Sequence, residues 1–247
     1  MPVNNIITSV ILSTFPELVH GISTKLGGNK QPPFYNNMSY KVGDDEAAVR
    51  VNREIFFSSL GINQSRLAIP QQVHSYEIKI IDKPGFYSGC DGLITQATDV
   101  FLIISTADCY SVFIYDKHNR AVANIHSGWR GTQKKIVTKA VKIMINNFGS
   151  KVEDLLIFIG PGINKENFEV SESVACLFEK RFAERKNRKY FIDLKANIID
   201  QINTLGIGSK QIESYPVCTF DGEDYLHSYR RDGDKSGRMF SVIGMKK

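Results

Sequence analysis

The sequence predicts an α/β protein of the α+β kind, with mixed sheets and helices packed outside them. Short apolar runs of strand length are spread evenly along the chain, and helical patterns separate some of them without strict βαβ alternation. No internal repeat, low-complexity tract or linker rich in proline, glycine and serine divides the chain. We therefore expect a single domain over residues 1–247 rather than a doubly wound parallel sheet.

Each element is predicted from its local pattern. Apolar residues at spacings of three and four, followed by a stop signal such as glycine, predict a helix. Short apolar runs between turn signals predict strands. In chain order, we expect a turn-rich loop over 27–33, a helix over 45–60, strands over 67–69, 78–81, 100–104, 112–115 and 121–125, a helix over 136–145, a strand over 155–159, helices over 171–182 and 194–205, and strands over 212–215 and 239–243.

Composition is that of an ordinary globular protein. The chain of 247 residues, with 42% hydrophobic and 23% charged residues, is long enough to hide about 70–75% of its unfolded surface. The net charge of +5 is mild and suits a small anionic ligand as well as a solvated surface. No basic cluster is interleaved with aromatic residues, so we expect no nucleic-acid partner.

Targeting signals and cysteine usage predict a cytoplasmic protein without membrane contact. Residues 1–5 lack a basic signal-peptide region, and no apolar run approaches the ~20 residues of a membrane span. The four cysteines are scattered without a C-x-x-C pair, as in proteins of reducing compartments. We expect a monomer or a homodimer.

Three segments carry the residues best suited to chemistry. Residues 126–132 (His-Ser-Gly-Trp-Arg-Gly-Thr) follow a predicted buried strand and precede a helical pattern, and ligands gather at such turns. Cys109 lies seventeen residues upstream of His126, between two apolar runs, and His74 ends a further apolar segment. Zinc accepts histidine nitrogen and cysteine sulfur, and a catalytic zinc keeps three protein ligands with one open position. We therefore predict a metal site on His74, Cys109 and His126.

The same residues allow other interpretations. Cys109 could act without metal as a nucleophile activated by His126 or His74. Two histidines and a cysteine also suit copper, although five histidines without a His-x-His pair cannot build a multi-copper cluster. A buried structural cysteine with two unconnected histidines is the plainest alternative, and a metal-binding module without enzymatic activity is another.

Five further charged residues are candidates for binding substrate or phosphate. Asp91 and Asp108 could orient a ligand histidine or act as bases, or could simply cap turns. Arg53 on the first helix, Lys25 in the glycine-rich loop, and Arg130 in the 126–132 turn could bind an anion, or could be solvated.

Motifs along nearly the whole chain resemble the laccase-domain family, first labelled multicopper polyphenol oxidases and also called peptidoglycan editing factors. The Asp-Cys pair and the His-x-Gly-Trp-Arg-Gly segment at this spacing are the most specific part of the resemblance. The motifs lie at residues 20–28, 42–45, 49–53, 72–74, 91–95, 106–109, 126–132, 159–163, 168–170, 228–233 and 237–239.

The resemblance implies a three-layer α/β/β fold and zinc on His74, Cys109 and His126, with Arg53 binding an anion. It implies a purine nucleoside phosphorylase that acts on adenosine, inosine and S-methyl-5′-thioadenosine with inorganic phosphate, and that deaminates adenosine in the same site. A Cys/His amide hydrolase or an editor of peptidoglycan precursors is the alternative. The chain departs from the family at two positions. The family usually has arginine where this chain has Lys25, so the bidentate guanidinium contact to an anion is lost there. It usually has alanine where this chain has Ser127.

Overall fold

Two six-stranded mixed sheets, stacked face to face, form the centre of the protein. The computed structural model describes residues 5–247. The first sheet has the strand order β1-β2-β15-β7-β3-β5, the second has the order β14-β10-β8-β9-β6-β4, and a three-stranded sheet has the order β11-β13-β12. The strands are β1 Ile6–Ile7, β2 Leu18–Ser23, β3 Leu67–Pro70, β4 Ile78–Ile80, β5 Gly85–Tyr87, β6 Gly92–Thr95, β7 Phe101–Thr106, β8 Tyr110–Asp116, β9 Ala121–Ser127, β10 Leu155–Ile159, β11 Glu169–Val170, β12 Ala183–Lys186, β13 Lys189–Ile192, β14 Ile212–Ser214 and β15 Met239–Met245.

Within residues 5–247, six α-helices accompany the sheets. Only three of them exceed ten residues, and these three cover the outer faces of the two large sheets. The helices are α1 Glu46–Ser59, α2 Trp129–Gln133, α3 Ile136–Phe148, α4 Glu172–Ala175, α5 Leu194–Thr204 and α6 Tyr229–Asp232. No helix among residues 5–247 has both the length and the apolar character needed to cross a membrane.

Strand alternation explains the layers. In β8, Val112 and Ile114 belong to the core beneath α3 and α5, whereas Phe113 and Tyr115 belong to the core between the two large sheets. Successive side chains of a strand point to opposite faces, so a fully buried strand such as β8 serves both cores. The helices α3 and α5, the second sheet and the first sheet form the expected α/β/β layers, and α1 covers part of the outer face of the first sheet.

Most predicted elements are confirmed. The helix predicted over 45–60 is α1, with Asp45 as its N-cap accepting a hydrogen bond from the backbone N–H of Ala48 at 3.0 Å. The helix over 194–205 and the predicted strands are present, with no end shifted by more than two residues, and the helix over 136–145 extends to Phe148. The expectation that the chain has no signal peptide depends on residues 1–5, and residues 1–4 lie outside the part of the chain that the structure describes.

The helix predicted over 171–182 is wrong. Only Glu172–Ala175 is α-helical, and residues 180–182 form a 3-10 turn. Phe178 and Phe182 are buried at a helical spacing that misled the prediction, but they enter the core from irregular chain. The segment then leads into the hairpin of β12 and β13, whose two-residue loop has positive φ at Asn187 and Arg188, as a tight hairpin turn requires. Tertiary packing thus overrides helical periodicity here.

Candidate functional site

Three different segments bring His74, Cys109 and His126 together. The chain crosses from the first sheet to the second between β7 and β8, and Cys109 lies at this crossing. His126 lies in the neighbouring strand β9, opposite Ser111 of β8. His74 follows β3 in a loop with positive φ. The ligating atoms of the three side chains all lie within 4.8 Å of one another, and they are the only such group of three or more His, Cys, Asp or Glu residues within 5–247.

Gly128 leaves room for the thiol. A Cβ atom at this position would lie 2.8 Å from Cys109 Sγ and 3.6 Å from His74 Cδ2. The first glycine of the 126–132 motif is therefore required by space at the candidate metal site.

Asp91 organises two of the three candidate ligands. Its fully buried carboxylate accepts a hydrogen bond at 2.7 Å from Nδ1 of His126. It also accepts from the backbone N–H of His74 at 3.1 Å and from the N–H and hydroxyl of Ser75 at 2.7 and 2.8 Å. With Nδ1 occupied, Nε2 of His126 is the nitrogen available to a metal. The structure thus places Asp91 beneath the site, as a residue that orients ligands, with its carboxylate oxygens already occupied.

The electrostatics of the site favour a thiolate. Burial alone would raise the pKa of the Cys109 thiol, but the neighbouring His126 and His74 lower this pKa to about 6. Burial opposes charge on His126, but Cys109 and Asp91 raise its pKa to about 9. Burial also acts to raise the pKa of Asp91, and the hydrogen bonds from His126 and Ser75 outweigh it and lower this pKa to about 2. A thiolate with two imidazoles is a donor set that zinc accepts.

A cavity of about 830 Å³ opens over the three candidate ligands. Its volume lies in the range of small-molecule sites, about 300–1,000 Å³. Aromatic and arginine side chains from several segments share its wall with the candidate ligands. Besides His74, Cys109 and His126, the lining includes Tyr40, Arg53, Gln72, Phe86, Ser105, Asp108, Phe168, Tyr229, Arg230, Asp234, Arg238 and Phe240.

Arg53 is held in the cavity wall by one backbone carbonyl and two aromatic rings. Its Nε donates to the carbonyl of Met38 at 2.7 Å, and its guanidinium lies 4.1 Å from the ring centroid of Tyr40 and 4.7 Å from that of Phe240. Burial lowers the pKa of Arg53, and no carboxylate within the described chain forms an ion pair with it. An aromatic cage with one fixed nitrogen leaves the other two nitrogens free for an anion.

Lys25 and Arg130 lie away from the cavity. The Lys25 ammonium donates to the carbonyl of Glu223 at 2.7 Å and lies 4.5 Å from the ring centroid of Tyr35. Arg130 is exposed and stacks on Trp129 at 4.4 Å. Neither side chain lines the cavity, so a role in binding the same substrate is not supported for either residue.

Asp108 joins two parts of the cavity wall to the buried Thr219. Its carboxylate accepts from the hydroxyl of Thr219 at 2.7 Å and from the backbone N–H of Arg230 at 2.6 Å, and its carbonyl accepts from the N–H of Ile163 at 2.8 Å. Asp108 has φ of +93°, a conformation that costs free energy and tends to occur at functional sites. Its place next to Cys109 indicates a positioning role.

Sequence reasoning gave no role to several lining residues. Arg230 and Arg238 lie in motifs used only for the family resemblance, and the density of arginine over 230–238 was the available signal. Gln72 could not be recognised from sequence, because its amide pairs with the backbone N–H and carbonyl of Ser105, at 2.8 and 2.9 Å, only once β7 is in place. This pairing fixes the segment that leads to His74.

Comparison with known proteins agrees with the architecture. The family model described as multi-copper polyphenol oxidoreductase laccase matches residues 19–246. A purine nucleoside phosphorylase of Bacteroides thetaiotaomicron is 35% identical over 96% of this chain and 94% of its own length. Purine nucleoside phosphorylase YlmD of Bacillus subtilis is 31% identical over 93% and 89%.

Solved structures show the same fold. A hypothetical protein YfiH of Bacillus licheniformis superposes with a TM-score of 0.88 at 30% identity, covering 93% of both chains. YlmD of Geobacillus stearothermophilus superposes with a TM-score of 0.89 at 28% identity, covering 94% of this chain and 93% of its own. The chain therefore belongs to the multi-copper polyphenol oxidoreductase laccase family, and several of its relatives carry the name purine nucleoside phosphorylase.

Proposed function

We propose that the protein is a zinc-dependent purine nucleoside phosphorylase that acts on adenosine and inosine, with S-methyl-5′-thioadenosine as a further substrate, and that deaminates adenosine in the same site. One observation carries the proposal: the His/Cys ligand group and the unpaired guanidinium of Arg53 line one cavity. The names of the relatives support the same reaction.

His74, Cys109 and His126 would hold the metal. Two imidazoles and a thiolate fit zinc, and the cavity leaves one side of the group open. Bound zinc would supply Lewis-acid polarisation of a substrate oxygen and acidification of water. Copper is less favoured, because the part of the chain from 5 to 247 has a single such group and cannot build a multi-copper cluster.

Arg53 would bind and orient the phosphate co-substrate. A guanidinium matches phosphate geometry and neutralises its charge, and the aromatic cage of Tyr40 and Phe240 removes the need to order the side chain during binding. In phosphorolysis, a phosphate oxygen forms a bond to the ribose C1′ while the bond from C1′ to the purine nitrogen breaks. The products are ribose 1-phosphate and the free purine, which takes up a proton.

The aromatic lining suits a purine ring. Phe86 and Tyr229 line the cavity and yet are 65% and 49% exposed, and Tyr40 and Phe168 add further flat faces. Large exposed apolar side chains at a cavity mouth indicate a binding surface, and aromatic faces stack favourably on nucleobases. The lining therefore supports a base-containing substrate over an aliphatic one.

The test is product analysis with metal-analysed protein. Without phosphate, we expect inosine from adenosine. With phosphate, we expect ribose 1-phosphate together with hypoxanthine, formed by way of inosine, and adenine, formed by direct cleavage of adenosine. Arg53→Ala should reduce phosphorolysis about 10- to 150-fold, the usual effect of losing one charged hydrogen-bonding group, while deamination and bound metal are retained. Arg130→Ala, outside the cavity, is the matched control. A His126 variant should lose both reactions, and loss of only one would contradict a single site.

A second candidate function is Cys109-dependent amide hydrolysis, including the editing of peptidoglycan precursors. It is favoured by one observation, the lowered pKa of the Cys109 thiol beside two histidines. Chelation separates the two mechanisms, because a thiolate nucleophile keeps its activity without metal and a zinc enzyme does not. The cytoplasmic location and the monomeric or homodimeric state stay predictions from the sequence.

A further inference from the structure

Arg238 lies in the cavity wall with two nitrogens free. Its Nη1 donates to the carbonyls of Ser236 and Gly237 at 2.7 and 3.0 Å, and its guanidinium lies 5.4 Å from the ring centroid of Tyr229. The Nε and Nη2 atoms make no hydrogen bond to any residue that the structure describes. The guanidinium is therefore fixed from one side and open towards the cavity.

The charge of Arg238 has no direct partner. No carboxylate of residues 5–247 lies within ion-pair distance of it. The nearby acids are engaged elsewhere or exposed. Both oxygens of Asp108 accept other hydrogen bonds, the Cys109 thiol belongs to the candidate metal ligands, and Asp234 is exposed and faces the hydroxyl of Tyr229 at 3.4 Å. Burial lowers the pKa of Arg238, because a half-buried cation loses hydration. A cation kept in this position without a partner favours an anionic ligand.

The backbone that carries Arg238 packs closely against a buried ring. A Cβ atom at Gly237 would lie 2.5 Å from Cε1 of His227, so the chain here rests directly on that buried ring. Burial, with the charges of Lys25 and Arg238, holds the pKa of His227 at about 3. His227 is therefore neutral near pH 7 and adds no second positive charge beside Arg238.

Met38 connects Arg238 with Arg53 in the cavity wall: its backbone N–H donates to the carbonyl of Arg238 at 3.0 Å, and its carbonyl accepts from Nε of Arg53 at 2.7 Å. Arg238 immediately precedes β15 and is two residues from Phe240. In an extended chain, side chains two residues apart point to the same face, and their Cα atoms are about 7 Å apart. The ring of Phe240 carries the guanidinium of Arg53 at 4.7 Å. Both arginines and Phe240 line the same cavity.

We propose that Arg238 is the second arm of an anion site whose first arm is Arg53, and that the two guanidinium groups hold one phosphate between them. Each guanidinium has two nitrogens without a hydrogen-bond partner among residues 5–247, which allows a two-pronged contact from each side. A phosphate group carries about −1.5 to −2 charges at pH 7, more than one guanidinium neutralises. The choice of phosphate as the anion rests on the proposed phosphorolysis.

Calorimetric titration with inorganic phosphate tests the shared site without turnover. Wild-type protein should bind one phosphate per chain. Arg238→Ala and Arg53→Ala should each weaken binding about 10- to 150-fold, and the double variant should show none. Arg238→Gln keeps an amide donor for the carbonyls of Ser236 and Gly237 but removes the charge. This variant should therefore fold, and its phosphate binding should be as weak as that of Arg238→Ala. The exposed Arg130→Ala should bind as wild type does.

Several results would overturn the shared site. The first is that the wild-type protein binds no phosphate. The second is that Arg238→Ala or Arg238→Gln binds phosphate with unchanged affinity. The third is that the wild type binds two phosphates per chain and that each single variant loses one of them. Product analysis separates this inference from the proposed function. Phosphate-dependent cleavage with normal binding in the Arg238 variants would refute the second arm alone. Binding that needs both arginines, without cleavage of any nucleoside, would refute phosphorolysis alone.

Discussion

At the scale of single residues, Asp91 links the polar network beneath the cavity to the candidate ligands. Its carboxylate receives hydrogen bonds from the ring of His126 and from the backbone of His74 and Ser75. A buried carboxylate without such donors would be strongly disfavoured. The same bonds that keep Asp91 charged thus hold both histidines in place.

Asp91→Asn should weaken metal binding about 10- to 100-fold, as typical for the residue that orients a metal-ligating histidine. An amide nitrogen would face buried donors, so stability should also fall by about 1–3 kcal/mol for the unsatisfied group. Competition with a chelator measures the first effect and urea unfolding the second. Ser75→Ala, which removes one of the donors, is the milder control. Unchanged metal affinity in Asp91→Asn would contradict the role given to Asp91.

The Cys109 thiolate should be detectable by alkylation in metal-depleted protein. The folded pKa of about 6 lies below the value of an unfolded thiol, about 8.5. The folded state therefore favours the thiolate, and this contribution to stability is complete above about 8.5 and is lost as the pH falls through 6. We expect the rate of Cys109 alkylation to rise through pH 6 and to level off before 8.5. The exposed Cys176 provides an internal reference, and a Cys109 rate that still rises above pH 8.5 would contradict the shift.

At the scale of elements, the turn from β9 to α2 has a geometry that other residues could adopt. Gly128 has φ of −82° and ψ of −179°, which is extended backbone open to any residue. Its lack of a side chain matters because Cys109 Sγ occupies the space where Cβ would be. The turn therefore leaves a gap for the Cys109 thiol at the candidate metal site.

Gly128→Ala should impair metal binding more than folding. The added methyl group would displace Cys109, whereas the backbone conformation stays accessible to alanine. Elemental analysis and thermal unfolding of the metal-free protein distinguish the two effects. Gly208→Ala is the matched control, because Gly208 has the same φ of −82° and the nearest atom to an added Cβ lies 3.7 Å away. Full metal occupancy in Gly128→Ala would show that the Cys109 thiol can shift and still bind the metal.

At the scale of the whole molecule, the candidate metal site spans the two large sheets. His74 follows a strand of the first sheet, His126 lies in the second, and Cys109 lies where the chain crosses between them. The buried Asn124 of the second sheet also ties the layers, through hydrogen bonds to the carbonyls of Leu102 and Ser241 at 3.0 and 3.1 Å. A ligand held at the crossing would therefore stabilise the stacking of the sheets.

Removing the metal should lower the thermal stability of the whole protein. A ligand bound only by the folded state adds about 2.7 kcal/mol at a free concentration one hundred times its Kd. We expect chelation to lower the Tm of wild type, and added zinc to restore it in a concentration-dependent way. Cys109→Ala should show neither response. A Tm that is insensitive to chelator, in protein shown to have lost its metal, would argue against coupling between the site and the sheets.

The sequence by itself determined the long helices, about half of the strands and the residue types of the candidate site. The apolar runs around β7, β8 and β9 and the N-cap of α1 depend on neighbouring residues, so periodicity and capping revealed them. The ligand set could be predicted for a similar reason, since thiol and imidazole chemistry is a property of the side chains and each candidate follows an apolar run. Periodicity misled the prediction only where the core was reached from irregular chain, as at Phe178 and Phe182.

Only the tertiary structure decided which polar residues face the cavity. Lys25 and Arg53 are alike as isolated cations, yet Lys25 is directed to the Glu223 carbonyl and Arg53 is caged in the cavity wall. Asp91 became a support for His126 and Arg238 a member of the wall through contacts between residues distant in sequence. The direction of a long or charged side chain depends on the elements packed around it, and no local pattern in the sequence encodes those contacts.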